Sequence, residues 1–132
     1  MAAPTISIAV GKVQTFLLTF ALIDAAAAVA NIGRFRLPQK ARIIRIAASA
    51  RAKTAGLVAF DLMIESAGVN LLSAAMDLGT PAAGTFVEGV LTDTAGVSIA
   101  KEAELTVDVD AHSAGGETAS DVTIQVDYLP ED

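Results

Sequence analysis

The sequence predicts an all-β chain: one antiparallel β-sandwich of about eight strands with little helix. Three observations carry this. Two runs near the C-terminus, Leu105-Thr106-Val107-Asp108-Val109-Asp110 and Val122-Thr123-Ile124-Gln125-Val126-Asp127-Tyr128, alternate apolar and polar residues with period two. Alternate side chains of a strand point to opposite faces, so each run is apolar on one side and wet on the other. Turn signals recur about every 8–15 residues, the spacing of sandwiches and barrels. At 132 residues the chain is the length of one domain, 1–132.

Taken in order, Thr5–Val10 is a short strand candidate, followed by Thr15–Ile23, with Phe16, Leu18, Phe20 and Leu22 on one face. Ala25–Ala30 is nearly all alanine. It reads as either a short helix, with Asp24 as N-cap, or a tight loop. Ile32–Leu37 and Arg42–Ser49 are the next strands. Leu57–Ile64 and Val69–Leu78 follow, separated by Ser66-Ala67-Gly68, and Leu71–Leu78 also fits one or two helical turns. Thr85–Leu91 ends at the turn-rich stretch Thr92-Asp93-Thr94-Ala95-Gly96. The two alternating runs then read as antiparallel neighbours joined by the loop His112–Asp121. Their register places Val107, Val109, Ile124 and Val126 inside. It places Thr106, Asp108, Thr123 and Gln125 outside.

Apolar residues make up 53% of the chain, and the mean hydropathy is +0.55. A small monomer has too much surface to hide that much apolar side chain. A membrane-spanning helix does not absorb the excess, because it needs about 20 apolar residues in a row. The uncharged run Val13–Ile23 has eleven, and Ala25–Gly33 has nine. Lys12, the apolar run and Ala28-Val29-Ala30 imitate a secretory signal, but Asp24 beside the cleavage region argues against one. Phe16–Ile23, Ile43–Ile46 and Leu57–Ile64 carry apolar residues on both faces, which calls for a second covering layer. No long amphipathic helix offers itself, so the expectation is a homo-oligomer. Residues 1–10, with Ile6, Ile8 and Val10, are the candidate arm to a neighbouring subunit.

Charge is unevenly distributed. Residues 34–53 hold Arg34, Arg36, Lys40, Arg42, Arg45, Arg51 and Lys53 with no acid, whereas residues 54–132 hold Lys101 against fourteen Asp and Glu. Phe35 is the one aromatic in the basic band, and the sequence pI is about 4.6. Nucleic-acid binding is therefore disfavoured. The band is expected to meet acidic surface, within a subunit or across an interface. Arg34, Arg36, Lys40, Arg42 and Arg45 are interface candidates.

The chemistry-bearing residues are few. The absence of Cys removes thiolate metal sites, disulfides and cysteine nucleophiles. His112 is the one histidine. With Ser113, Asp110 and Asp121 nearby it could be imagined as a triad, but neighbours on a Gly-rich loop rarely aim at one another, so an exposed loop histidine is expected. Asp108 and Asp110 share a strand face, with Asp127 expected across from them. A flat face does not wrap a calcium ion, and a solvated outer face is the expectation. Five Phe, one Tyr and no Trp leave little for a sugar platform. No catalytic, cofactor-binding or metal-ligating residues are assigned, no cofactor is expected, and the chain is read as not an enzyme.

Three stretches resemble the small jelly-roll-like decoration, or cement, proteins of tailed-bacteriophage capsids. They are Leu37–Ile46 after its Pro38 bend, Thr85–Leu91, and Ser120–Tyr128, together about 26 residues. The resemblance implies a structural protein on the virion surface, commonly a homotrimer, that clamps neighbouring major capsid subunits. It implies synthesis in the host cytoplasm without secretion, and no membrane or nucleic-acid partner. The alternative is a carbohydrate-binding or adhesin-type β-sandwich module, which calls for an aromatic or calcium site.

Overall fold

The computed structural model describes residues 12–25, 28–114 and 116–131. Ten strands follow in chain order: β1 (Gln14–Ile23), β2 (Val29–Arg36), β3 (Ala41–Lys53), β4 (Phe60–Ser66), β5 (Val69–Asn70), β6 (Met76–Asp77), β7 (Val87–Glu88), β8 (Val97–Ile99), β9 (Glu104–His112) and β10 (Ala119–Pro130). There is no helix among the described residues. The alanine stretch resolves partly: Val29 and Ala30 open β2, and residues 26–27 lie outside the described ones.

The strands form two antiparallel sheets. The first runs β1-β10-β3, with β7 and β8 both on the far side of β3. The second runs β2-β9-β4, with β5 and β6 on β4. The pairing is nested: first with last, β2 with β9, β3 with β7 and β8, β4 with β5 and β6. A long antiparallel hairpin rolled onto itself gives this order, which is the jelly-roll winding. The ten strands occupy eight positions, because two outer positions are each split into two short pieces.

The core forms where the inward faces meet. Ile46, Ala48, Val122, Ile124 and Val126 of the first sheet and Leu62, Ile64, Leu105, Val107 and Val109 of the second are buried. Alternation along each strand supplies these rows. The inward expectations for Val107, Val109, Ile124 and Val126 hold, while Thr106, Thr123 and Gln125 are half-buried on outer faces.

Several expectations need correcting. The runs at 105–110 and 122–128 are not neighbours: β9 pairs with β2 and β4, and β10 pairs with β1 and β3. The segment after His112 crosses from one sheet to the other, so the two apolar faces meet across the core. Asp127 therefore lies on the opposite sheet from Asp108 and Asp110. Leu57–Ile64 becomes Phe60–Ser66, Val69–Leu78 breaks into β5 and β6, and Thr85–Leu91 keeps only Val87–Glu88 as strand. These last segments close one side of the sandwich as irregular chain, so local apolar content overstated their regularity. Thr5–Val10 lies outside the described residues.

Candidate interaction surfaces

The two long sides of the sandwich are built differently. On the side beyond β4 and β3 the edge pieces are two or three residues long, and the loops between them are tied together. Ser73 N–H donates to Val90 O at 2.8 Å, Thr92 N–H to Leu71 O at 2.9 Å, and Gly89 N–H to Ile46 O at 2.8 Å. Leu72 and Leu91 form an isolated bridge, and Leu71, Leu72, Met76 and Leu91 are buried beneath these loops. Gly89 allows the closeness: a Cβ there would stand 2.7 Å from Leu72 Cδ2.

The other side is bounded by β1 and β2. Among the described residues β1 pairs only with β10, and β2 only with β9. The two strands face each other across the sandwich. Phe16 stacks on Phe35 with ring centroids 4.7 Å apart, and a Cβ on Gly33 would stand 2.6 Å from Phe20 Cζ. Phe16, Leu18 and Phe20 point inward yet remain only half-buried, and among the described residues no further strand closes the row. Leu17 is 56% exposed, Leu22 58%, Val13 52% and Val29 42%. A cleft of about 170 Å³, lined by Phe20, Leu22, Ile23, Val29 and Ile32, opens between the strand ends.

Unpaired strand edges invite pairing with other chains, and proteins blunt them with charges, proline, bulges or shortness. β2 is blunted: it carries Arg34 and Arg36, and its register slips by two residues between Val29 and Gly33. β1 is not. Its ten residues, QTFLLTFALI, hold no charge and no proline, and its register against β10 runs without a break. The signal for this edge is present in the sequence as the uncharged run Val13–Ile23, which is too short for a membrane-spanning helix.

The bulge in β2 explains Asp108, which is buried rather than solvated. The side chain points outward, as its parity dictates, but is only 6% exposed. Asn31, at φ 57°, arches over it and donates its backbone N–H to Asp108 Oδ1 at 2.7 Å. Asparagine tolerates this left-handed conformation better than most residues. Asp108, Glu65, Glu104, Asn31, Ser66 and Thr106 line an outer groove of about 590 Å³. No aromatic lines it, and among the described residues no cluster of three acidic or histidine groups is placed to hold a metal ion.

The basic band does not form one surface, because the connection from β2 to β3 crosses between the sheets. Arg34 and Arg36 lie on the second sheet, whereas Arg42, Arg45, Arg51 and Lys53 lie on β3 of the first. Part of its charge is met within the chain. Arg36 donates to Glu102 O at 2.8 Å and pairs with Glu104 at 3.4 Å. Arg45 pairs with Glu88 at 3.0 Å and Asp127 at 3.6 Å, and the Glu88 hydrogen bond raises the pKa of its guanidinium. Lys53 Nζ is held by the carbonyls of Leu78, Gly79 and Pro81. Arg34 and Lys40 are exposed, and Arg42 is half-buried with its Nε unpartnered. Ile6, Ile8 and Val10 lie outside the described residues.

His112 is not an exposed loop residue. It ends β9, is 7% exposed and meets Phe60 edge-on at 5.7 Å. Its Nδ1 lies 2.7 Å from Ser113 O. Ser113 Oγ accepts N–H groups of Val58 and Ala59 at 3.1 and 3.0 Å, so it pins a turn and does not face the imidazole as a nucleophile would.

Two acids near β4 titrate abnormally. Burial, with Asp77 and Asp110 nearby, raises the pKa of Asp61. Hydrogen bonds from Thr80 and Gly79 lower that of Asp77, which accepts both backbone N–H groups at 3.0 Å.

Compared with known proteins, the chain matches no family model, no curated protein and no solved structure.

Proposed function

We propose that this chain is a structural virion subunit: a capsid decoration protein that binds an assembled lattice of major capsid protein and stabilises it. The observation that carries the reading is the open β1 side. It combines an uncharged ten-residue edge, a half-covered inner row and four exposed large apolar residues, which suits burial against other polypeptide. The exposed Arg34 and Lys40 and the acidic outer groove add polar surfaces of both signs around it. The virion setting and a ring of three come from the resemblance of Leu37–Ile46, Thr85–Leu91 and Ser120–Tyr128 to phage decoration proteins.

The work done is binding. A protein that binds the assembled lattice and not its separated subunits shifts the equilibrium toward assembly by mass action. Tying copies together makes later contacts intramolecular, so weak individual contacts add up. The test is to raise antibody against the chain and label purified virus particles from its source culture. Labelling of the capsid exterior, with particles lacking the chain breaking at lower temperature, is the expected result. Particles free of the chain would overturn the reading.

A further inference from the structure

The closed side is fastened at one end by a single ammonium group. Lys53, the last residue of β3, donates to three backbone carbonyls: Leu78 O at 2.8 Å, Gly79 O at 2.9 Å and Pro81 O at 2.5 Å. We propose that these three carbonyls form a binding site for a univalent cation, that the chain fills this site with its own Lys53, and that the tethered cation straps the two sheets together. The inference stands apart from the virion reading and needs no partner.

Three observations carry it. First, donors and acceptors match. An ammonium group has three hydrogens to donate and nothing to accept with, and here it meets three carbonyls. Among the described residues no backbone N–H donates to these carbonyls. Leu78 and Gly79 are buried, where a carbonyl without a donor is costly.

Second, the loop is polarised. Asp77 Oδ1 accepts the backbone N–H groups of Gly79 and Thr80, both at 3.0 Å. This turn commits the N–H groups to the carboxylate, while the carbonyls of the same loop go to Lys53. The hydrogen bonds from Thr80 lead the causes that lower the Asp77 pKa, and the positive charge of Lys53 adds to them, so the two charges sense one another.

Third, the contact crosses the sandwich. Lys53 pairs with Ala119 in the first sheet. Leu78 follows β6 and donates its N–H to Phe60 O, in β4 of the second sheet, at 2.7 Å. The side chain of one sheet thereby holds a loop that belongs to the other.

The ligand class follows from the ligating atoms. Backbone carbonyls replace the hydration shell of potassium in carbonyl-lined sites, whereas divalent ions favour carboxylates. Ammonium and potassium are therefore the free ions that fit. Arginine is a poor substitute, because its planar fork does not bring three donors to one point.

The unaltered chain supplies the first test. Of its four lysines, Lys12, Lys40 and Lys101 are exposed. Nitrogen-15 NMR should therefore show Lys53 as the slowest-exchanging ammonium group. A Lys53 ammonium that exchanges as fast as the others would overturn the proposal. The second test follows amide hydrogen exchange at Leu78, Gly79 and Thr80 in full chains carrying Lys53→Ala or Lys53→Met. In tetramethylammonium chloride, whose cation is too large for the cage, both variants should exchange these amides about tenfold faster or more than the unaltered chain. In Lys53→Ala, ammonium or potassium chloride at the same ionic strength should slow exchange again, as a ligand bound only by the closed form does. Exchange unchanged by either substitution, or no slower in ammonium and potassium than in tetramethylammonium, would equally overturn it. The NMR measurement needs no variant, so it decides the matter even where a substitution prevents folding.

Discussion

The two sides of the sandwich solve the same problem in opposite ways. Beyond β3 and β4, the chain closes its own core with irregular loops, laced by Leu72–Leu91 and the hydrogen bonds around Ser73 and Thr92. At β1 and β2, regular strands stop without a cover among the described residues; exposed large apolar residues occur on both sides, Leu17 and Leu22 here and Val69, Phe86 and Val90 there, so the difference lies in the unpaired regular edges. On the proposed function, stability resides on the closed side and association on the open one: substitutions on the closed side should unfold the subunit, and those on the open side should weaken association and leave the fold intact.

The comparison needs a reference from the shared core. Val126→Asp should cost the most, about 4 kcal/mol or more, because it buries an unpaired charge in a fully enclosed position. Chemical denaturation measures it. On the closed side, Leu72→Ala should cost about 2–5 kcal/mol, since Leu72 is only 1% exposed. The same truncation at Leu17 should change subunit stability by no more than about 0.5 kcal/mol. Equal losses at the two positions would break the comparison.

Gly79→Ala, where the closed-side loop meets β4, should cost about 1–3 kcal/mol by overpacking. A Cβ there would stand 2.5 Å from Val58 O and 2.7 Å from Phe60 N, both backbone atoms. Asp127→Ala should cost about 1 kcal/mol, more than a solvated acid would. Its carboxylate accepts from Thr15 at 2.8 Å and Gln125 at 3.1 Å, and meets Arg45.

The smallest expected effect concerns pH. The pKa of Asp61 is raised in the folded state, so the stability linked to its proton is present at low pH and lost as pH rises through that value. Asp61→Asn should therefore stabilise the subunit at neutral pH, by about 0.5 kcal/mol or less, and bring no gain near pH 3. Asp77 has the opposite sign: its pKa is lowered, and its contribution fades as pH falls through it. Thermal melts of Asp61→Asn at the two pH values check this.

Period-two alternation made β9 and β10 readable residue by residue, down to which valines face inward. The same rule reads Asp108 correctly for direction and wrongly for exposure. What buries Asp108 is the arch at Asn31, more than seventy positions away in sequence. His112 is mistaken for the same kind of reason: the Gly-rich segment after it looks like a loop, but Phe60 across the ladder draws it inside. The basic band looks like one feature because its residues are consecutive, and it divides because a sandwich connection changes sheets.

By itself the sequence determined the all-β class, the alternating faces of the longest strands and an apolar excess that one subunit leaves exposed. These follow from local periodicity and composition, which need no partner strand to be read. Only the tertiary structure decided the nested pairing of first strand with last, the burial of Asp108 and His112, and the contrast between a closed side and an open one. Those depend on which segments meet across more than a hundred residues, as Gln14 meets Tyr128. That choice rests on how apolar faces and free edges are jointly covered, which no single segment encodes.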